Sequence, residues 1–355
     1  GLKYLLDMTT GVSDFIRSDG VRQEIASMYP NPGCDVETEL EVENNGYGHL
    51  LIGNAFEFLC SLLLYRRSTD IIQSGGRLST PRFTGDDYPP IIVQKYNGMR
   101  WEEHPEISSQ SEWDELMEDR PVWERRRSAV NWTEDDELSQ LAEQYVQTGM
   151  NTKGVVKAAL INAGWKPNEE VHSWVDRETF ETDVLAEMET LFQLLREQEW
   201  TEGETVFENP TFGGLRHILP GEGDFIVDDL LVDIKTTENP SFTNSFWRQI
   251  LLYYVLNDVQ RVLHDVEGRT YGREPFEEKY PKINRVGIYF ARYGVLKTVD
   301  MRKLTDNLEK YKKFRAWIIN RAIEENRHAQ HDYSAIRSAL TKPYDYKHQQ
   351  TLSDF

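Results

Sequence analysis

The chain has 355 residues and a mass of 41.5 kDa, enough for one large domain or two modest ones around a substantial core. Hydrophobic residues at 39% and aromatics at 12% exclude a disordered acidic chain, although charged residues reach 28%. With a net charge of −20 the surface as a whole repels phosphate polymers and anionic membranes, so a nucleic-acid activity needs a local basic groove, a bound cation or high ambient salt.

Cys34 and Cys60 are the only cysteines and no CxxC occurs, which argues against a disulfide framework, a zinc cluster and a four-cysteine iron–sulfur cluster. Cysteine usage reads as cytoplasmic. The longest apolar run, "HLLIGNAFEFLCSLLLY", contains Asn54 and Glu57 and lacks the flanks of a signal peptide or membrane span, so no membrane association is expected.

In chain order, a short helix is expected near Val12–Ser27, then a loop through "YPNPGCD". Apolar density and strong helix formers predict a buried helix over Leu50–Arg66, carrying one carboxylate, Glu57. Between Glu102 and Glu143 fourteen acids face four arginines, with Trp101, Trp113, Trp123 and Trp132 close by or within. This reads as a mostly helical acidic insertion anchored by tryptophans, although Arg125, Arg126 and Arg127 beside Trp132 could touch nucleic acid. An amphipathic helix follows over Glu181–Glu199. Strand-like runs "ETVFENP", "GDFIV", "LLVDIKTT" and "NRVGIYFARY" then alternate with helical stretches at "FTNSFWRQILLYYVLNDVQRVLHD" and "MRKLTDNLEKYKKFRAWIINRAIEEN". The pattern predicts an α/β class: a small mixed β-sheet flanked by helices, with a helical insertion. The expected division is 1–65 for an N-terminal segment and first core helix, 66–180 for the insertion, 181–326 for the main α/β core, and 327–355 for a loosely packed polar tail.

The stretch "GEGDFIVDDLLVDIKTT" reads as a hairpin with Asp228-Asp229 as a two-residue turn. Val227 then faces Leu230, Asp224 faces Asp233, and Glu222 faces Lys235. Side chains alternate along a strand, so all four charged residues share one face, with the two aspartates roughly 5 Å apart. Like charges that close are destabilising unless a cation or a proton intervenes. A divalent ion resolves the conflict, since Mg²⁺ prefers one or two carboxylates plus water and phosphate oxygens. The bland alternative is an exposed hairpin in which Lys235 pairs with Glu222.

The same stretch resembles motifs II and III of the PD-(D/E)XK nuclease superfamily, an Asp on one strand followed by D-x-K on the next. The resemblance is to the RecB-like and Cas4-like branch without the iron–sulfur cysteines. It extends to Glu57, matching the acid on an earlier helix, and to Gln249 and Tyr253, matching the downstream Q-x-x-x-Y. It implies a restriction-endonuclease-like core in which Glu57, Asp224, Asp233 and the Ile234 carbonyl hold Mg²⁺ or Mn²⁺. Lys235 then supports attack of water on a phosphodiester, with DNA the favoured substrate, while Gln249 and Tyr253 position phosphate or Lys235. Gly223 stands where the proline of the motif is usual, and no iron–sulfur cluster is expected.

Glu222 could replace one acid in another register, and His49 could assist from the turn before Glu57. Thr236 and Thr237 could bond a phosphate, and Trp247 and Arg248 could contact a strand. Arg302, Lys303, Lys310, Lys312, Lys313, Arg315 and Arg321 make the best candidate phosphate-tracking surface. His328 and His331 resemble a metal pair by chance. No Walker A sequence appears, so the chain is not itself a motor; a helicase, an ATPase or another subunit of a defence or repair complex is the implied partner. The rival expectation is a catalytically silent nuclease-like subunit that binds nucleic acid or assembles a larger complex.

Overall fold

The computed structural model describes residues 11–33, 41–44, 49–68, 70–73, 92–95, 98–101, 136–165, 177–212, 218–267, 280–325 and 333–341. Trp113, Trp123, Trp132, Arg125, Arg126, Arg127, His328 and His331 lie outside these residues.

A mixed six-stranded sheet organises the fold. Its strands are β1 (Asp70–Gln73), β4 (Thr205–Glu208), β5 (Phe225–Val227), β6 (Leu230–Lys235), β7 (Arg285–Phe290) and β8 (Val295–Asp300), in that spatial order. β1 runs parallel to β4 and β6 parallel to β7; the other neighbours are antiparallel. The parallel β6–β7 step is bridged by α7 (Asn244–Glu267), the crossover that such a pair requires. A separate hairpin joins β2 (Ile92–Lys95) and β3 (Gly98–Trp101).

Strand alternation sorts the core into two layers. Phe207, Ile226, Leu231, Val286, Ile288 and Phe290 face one side. There they meet α1 (Val12–Phe15), α2 (Asp19–Met28), α7, α9 (Leu308–Glu325) and α10 (Ser334–Thr341). Val206, Phe225, Val227, Leu230, Val232 and Tyr289 face the other. Against them pack α3 (His49–Arg67), α4 (Asp136–Thr148), α5 (Thr152–Asn162) and α6 (Arg177–Arg196). α3 buries Phe56, Leu59, Cys60, Leu62, Leu63, Leu64 and Tyr65 around nearly its whole circumference, as a helix apolar on all sides must.

Several local expectations change. The N-terminal helix is interrupted between Phe15 and Asp19, where Ser18 takes an extended backbone (ψ 138°) and starts α2 afresh. The basic helix is likewise two pieces, α8 (Met301–Leu304) and α9, each begun by an oxygen-bearing side chain: Asp300 accepts from the Arg302 N–H, Asn307 from Lys310. The stretch 66–180 supplies β1 to the sheet, and its helices α4 and α5 pack directly on α3. α10 falls within the supposed polar tail, yet Tyr333, Ile336, Ala339 and Leu340 are buried in the core. No helix among the described residues is long and apolar enough to cross a membrane.

One buried cation ties the α6 layer to the sheet. Arg292, in the 3₁₀ turn after β7, is fully buried and makes four hydrogen bonds. Nε donates to the Thr236 carbonyl at 2.8 Å, Nη1 to Val42 and Glu43 carbonyls at 3.0 and 3.2 Å, and Nη2 to Glu187 Oε1 at 2.6 Å. The guanidinium thus joins the segment leading towards α3, the end of β6, and α6. Removing one member of a buried ion pair costs about 3–5 kcal/mol because the other charge is stranded. Arg292→Met is therefore expected to lower the urea midpoint by that equivalent. Arg292→Lys should recover little of it, since an ammonium offers three donors and no planar fork. Equal midpoints for Arg292→Lys and the parent would contradict this account.

Candidate metal centre

The β5–β6 hairpin places the acids. Its pairs are Val227 with Leu230, Ile226 with Leu231, and Phe225 with Val232. One step further, Asp224 stands opposite Asp233, on the face of Ile226 and Leu231. Counting from the pair that closes the turn, this is a non-hydrogen-bonded position, where opposed side chains come closest. The turn is pinned from both sides. Asp228 adopts a left-handed φ of 52°, and its Oδ1 accepts the Glu204 and Thr205 N–H groups at 3.1 and 2.9 Å. Asp229 accepts from Asn284 Nδ2 and Arg285 Nη2, both at 2.9 Å.

Asp224 lies just before β5, where the chain bends away: Gly223 N–H donates to the Pro210 carbonyl at 3.0 Å. The side chain of Asp224 fills the gap, Oδ2 accepting the Ile234 N–H at 2.5 Å. Since a strand residue presents its N–H and C=O to the same edge, the Ile234 carbonyl also points to the Asp224 side. Asp233 is 2% exposed, and its Oδ2 lies 2.5 Å from Lys235 Nζ yet accepts no hydrogen bond of ordinary angle. Lys235 Nζ also stands 5.4 Å from the centre of the Phe246 ring.

Glu57 approaches from α3. Gly53, one turn earlier on the same helical face, passes the end of β6 so closely that a Cβ there would touch Thr236 Oγ1 at 3.5 Å. Burial raises the Glu57 pKa to about 7, reinforced by the negative charges of Glu208, Glu222 and Asp233. Asp224 is pushed well above the usual carboxylate range by burial, then by Asp233 and Glu57. Burial disfavours the ammonium of Lys235, but Asp233 and Asp224 outweigh it and hold its pKa above the ordinary value. On α7, Gln249 Nε2 donates to Tyr253 Oη at 3.0 Å, and burial pushes the phenol up. The structure therefore brings Glu57, Asp224, Asp233, Lys235, Gln249 and Tyr253 into one neighbourhood.

Glu208 is the member that the sequence reading missed. Buried on β4 opposite Phe225, it accepts from Ser61 Oγ and Tyr65 Oη of α3. A glutamate at an inward position of "TVFE", in step with Val206, was the available signal. Glu222 is exposed. His49 opens α3, but its side chain lies outside the described set. Thr236 is occupied through its carbonyl by Arg292, and Thr237 Oγ1 accepts the Asn239 N–H at 3.2 Å.

The proposed nucleic-acid contacts need two corrections. Trp247 is 1% exposed and its Nε1 donates to the Tyr29 carbonyl at 2.8 Å, so the indole is core packing and cannot stack on a strand. Arg315 is 1% exposed and its Nη1 lies 2.6 Å from Asp258 Oδ2, so its charge is spent internally. Lys312 pairs with Glu309, Arg321 with Glu325 and Arg302 with Asp300. Lys303, Lys310 and Lys313 are exposed, and Lys310 Nζ sits 4.8 Å from the Tyr29 ring centre.

Among the described residues, no group of three or more His, Cys, Asp or Glu side chains is gathered to hold a metal ion as it stands. Asp224 is turned to the Ile234 amide and Asp233 to Lys235, so the carboxylates satisfy one another's surroundings instead of a common centre. The donor chemistry nevertheless fits a hard divalent cation: opposed carboxylates, a carbonyl on the same edge, and a buried Asp233 oxygen lacking a proper hydrogen bond. No protein-family model, curated protein or solved structure matches the chain.

The raised Glu57 pKa has a consequence for stability. Between the ordinary 4.5 and about 7 the folded protein keeps a proton that the unfolded chain has released, so metal-free stability falls as pH rises through that window. At pH 8, Glu57→Gln is expected to be more stable than the parent by about 1–3 kcal/mol, and near pH 4.5 the gain should vanish. Urea midpoints at the two pH values read this directly; no gain at pH 8 would mean that Glu57 is not burdened by its neighbours.

Proposed function

We propose that this chain is a metal-dependent nuclease that hydrolyses phosphodiester bonds of DNA, and that its mixed sheet with flanking helices is a restriction-endonuclease-like core. The observation that carries the reading is the opposition of Asp224 and Asp233 across a pinned hairpin, with Lys235 two residues on. The likeness of these residues to the PD-(D/E)XK motifs supports it, as does the approach of Glu57 and of the Gln249–Tyr253 pair. A defence or repair setting, with a helicase, an ATPase or another subunit as partner, is an inference from the company such nucleases keep.

Asp224, Asp233 and Glu57 are the side chains that would hold Mg²⁺ or Mn²⁺, with the Ile234 carbonyl as a further oxygen. Such an ion supplies Lewis acidity and neutralises phosphate charge. The chain's own contribution is placement. The hairpin fixes both aspartates on one face, and α3 delivers Glu57 from the other layer. Lys235, kept cationic by its neighbours, offers Nζ to negative charge developing on a phosphate oxygen or on the attacking water. Gln249 holds the Tyr253 hydroxyl, which limits the freedom of both groups beside the site.

The direct test incubates the purified protein with circular, linear and single-stranded DNA and with RNA, in Mg²⁺, Mn²⁺ or EDTA. Cleavage that requires metal is expected. Lys235→Ala should lower it about 10²-fold or more, and Asp233→Ala should abolish it together with calorimetric Mn²⁺ binding. Absence of both cutting and metal binding in the parent would overturn the reading. Metal binding without cutting would favour the silent, nuclease-like subunit.

A further inference from the structure

The candidate centre already holds a cation of its own. Lys235 closes β6 with its side chain largely buried, and its Nζ lies 2.5 Å from Oδ2 of the buried Asp233. That oxygen is the one that accepts no hydrogen bond of ordinary angle, so the ammonium is held there chiefly by charge. Burial opposes the charge on Lys235, and Asp233, Asp224 and Glu57 together uphold it. The three carboxyl groups that suit a divalent ion are therefore the ones that act on Nζ.

A second seat for the same ammonium stands beside the first. Lys235 pairs in register with Phe290 of β7, and Phe246, near the start of α7, packs by that residue with ring centres 6.4 Å apart. Nζ is 5.4 Å from the centre of the Phe246 ring, inside the roughly 6 Å over which a ring face attracts a cation. A lysine stem is flexible, so side-chain torsions alone carry Nζ from carboxylate to ring.

A divalent ion on Asp233 and an ammonium in contact with the same oxygen cannot coexist, because like charges that close repel strongly where water is scarce. One of them has to leave. We propose that Lys235 is the resident counter-ion of the centre: it neutralises Asp233 until a divalent ion arrives, then yields the carboxylate and rests on the face of Phe246. This exchange presupposes the ion-binding reading of the centre. It makes the opposed aspartates tolerable without metal, and it leaves a charged ammonium beside the site once metal is bound.

The test is calorimetric Mn²⁺ titration of the full chain, without nucleic acid, for the parent, Lys235→Met, Phe246→Leu and the double variant. Lys235→Met removes the competitor and is expected to bind Mn²⁺ about tenfold more tightly. Phe246→Leu keeps an apolar side chain but removes the second seat, and is expected to bind about threefold more weakly. In the Lys235→Met background the Phe246→Leu change should have no effect, since no ammonium is left to be seated. In EDTA, Lys235→Met should melt below the parent because buried Asp233 loses its partner, and saturating Mn²⁺ should close that gap.

Unchanged or weaker Mn²⁺ binding by Lys235→Met, in a parent that binds the ion, would overturn the counter-ion and leave the metal centre standing. An equal Phe246→Leu effect in both backgrounds would reject the second seat, as the ring would then be packing alone. If Lys235→Met is too unstable to titrate, Lys235→Gln, which removes the charge and keeps a polar side chain, decides by the same criteria. Absence of Mn²⁺ binding from the parent and from both Lys235 variants would reject counter-ion and metal centre together.

Discussion

Two carboxylates held face to face by a hairpin that cannot slip are the constraint on which the rest of this structure depends. A shift of one residue would turn Phe225, Val227, Leu230 and Val232 out of one core layer and drive Asp224, Asp233 and Lys235 into it. Ile226 and Leu231 would move the opposite way, so both layers would lose their fit and buried charge would replace apolar contacts in one of them. The sheet therefore tolerates the acidic pair, and the strain is met locally. Asp224 turns to a backbone amide, Asp233 turns to Lys235, and Asp224 and Glu57 hold their protons to higher pH.

The two core layers contribute unequally to this arrangement. The layer containing α7 brings neutral donors, Gln249 and Tyr253, whereas the layer containing α3 brings further acid, Glu57 and behind it Glu208. Glu208 is answered by two hydroxyls from α3 and so ties that helix to β4. Negative charge is thereby layered behind the aspartates, which is the field a divalent cation would find most favourable. The positive charge set against it is that of Lys235, within the centre.

What was legible in the sequence was what is local. The hairpin register followed from a two-residue turn and alternation, and α3 followed from an unbroken apolar run. Side-chain fate on helices was harder, because an arginine or tryptophan looks the same in sequence whether it faces solvent or core. Trp247 and Arg315 were misjudged for that reason; each finds its polar partner, the Tyr29 carbonyl and Asp258, at a sequence distance no periodicity reveals. β8 left little trace because most of its residues are only half-buried, and β1 exists by pairing with a strand more than a hundred residues later. The left-handed backbone of Asp228 is held by the Glu204 and Thr205 amides, partners that no local pattern shows.

The buried guanidinium of Arg292 also sets an order of events in time. Its partners Val42, Glu43, Glu187 and Thr236 all precede it in the chain, so none of these ties can form until the ribosome has passed Arg292. At about 5–20 residues per second, the aspartate hairpin is complete several seconds before the latch that secures the end of β6 exists. Contacts spanning some 250 residues also carry a large loop-closure cost and come late in folding. The end of β6, and with it the setting of Asp233 and Lys235, is therefore secured only once β7 and the turn after it have been made.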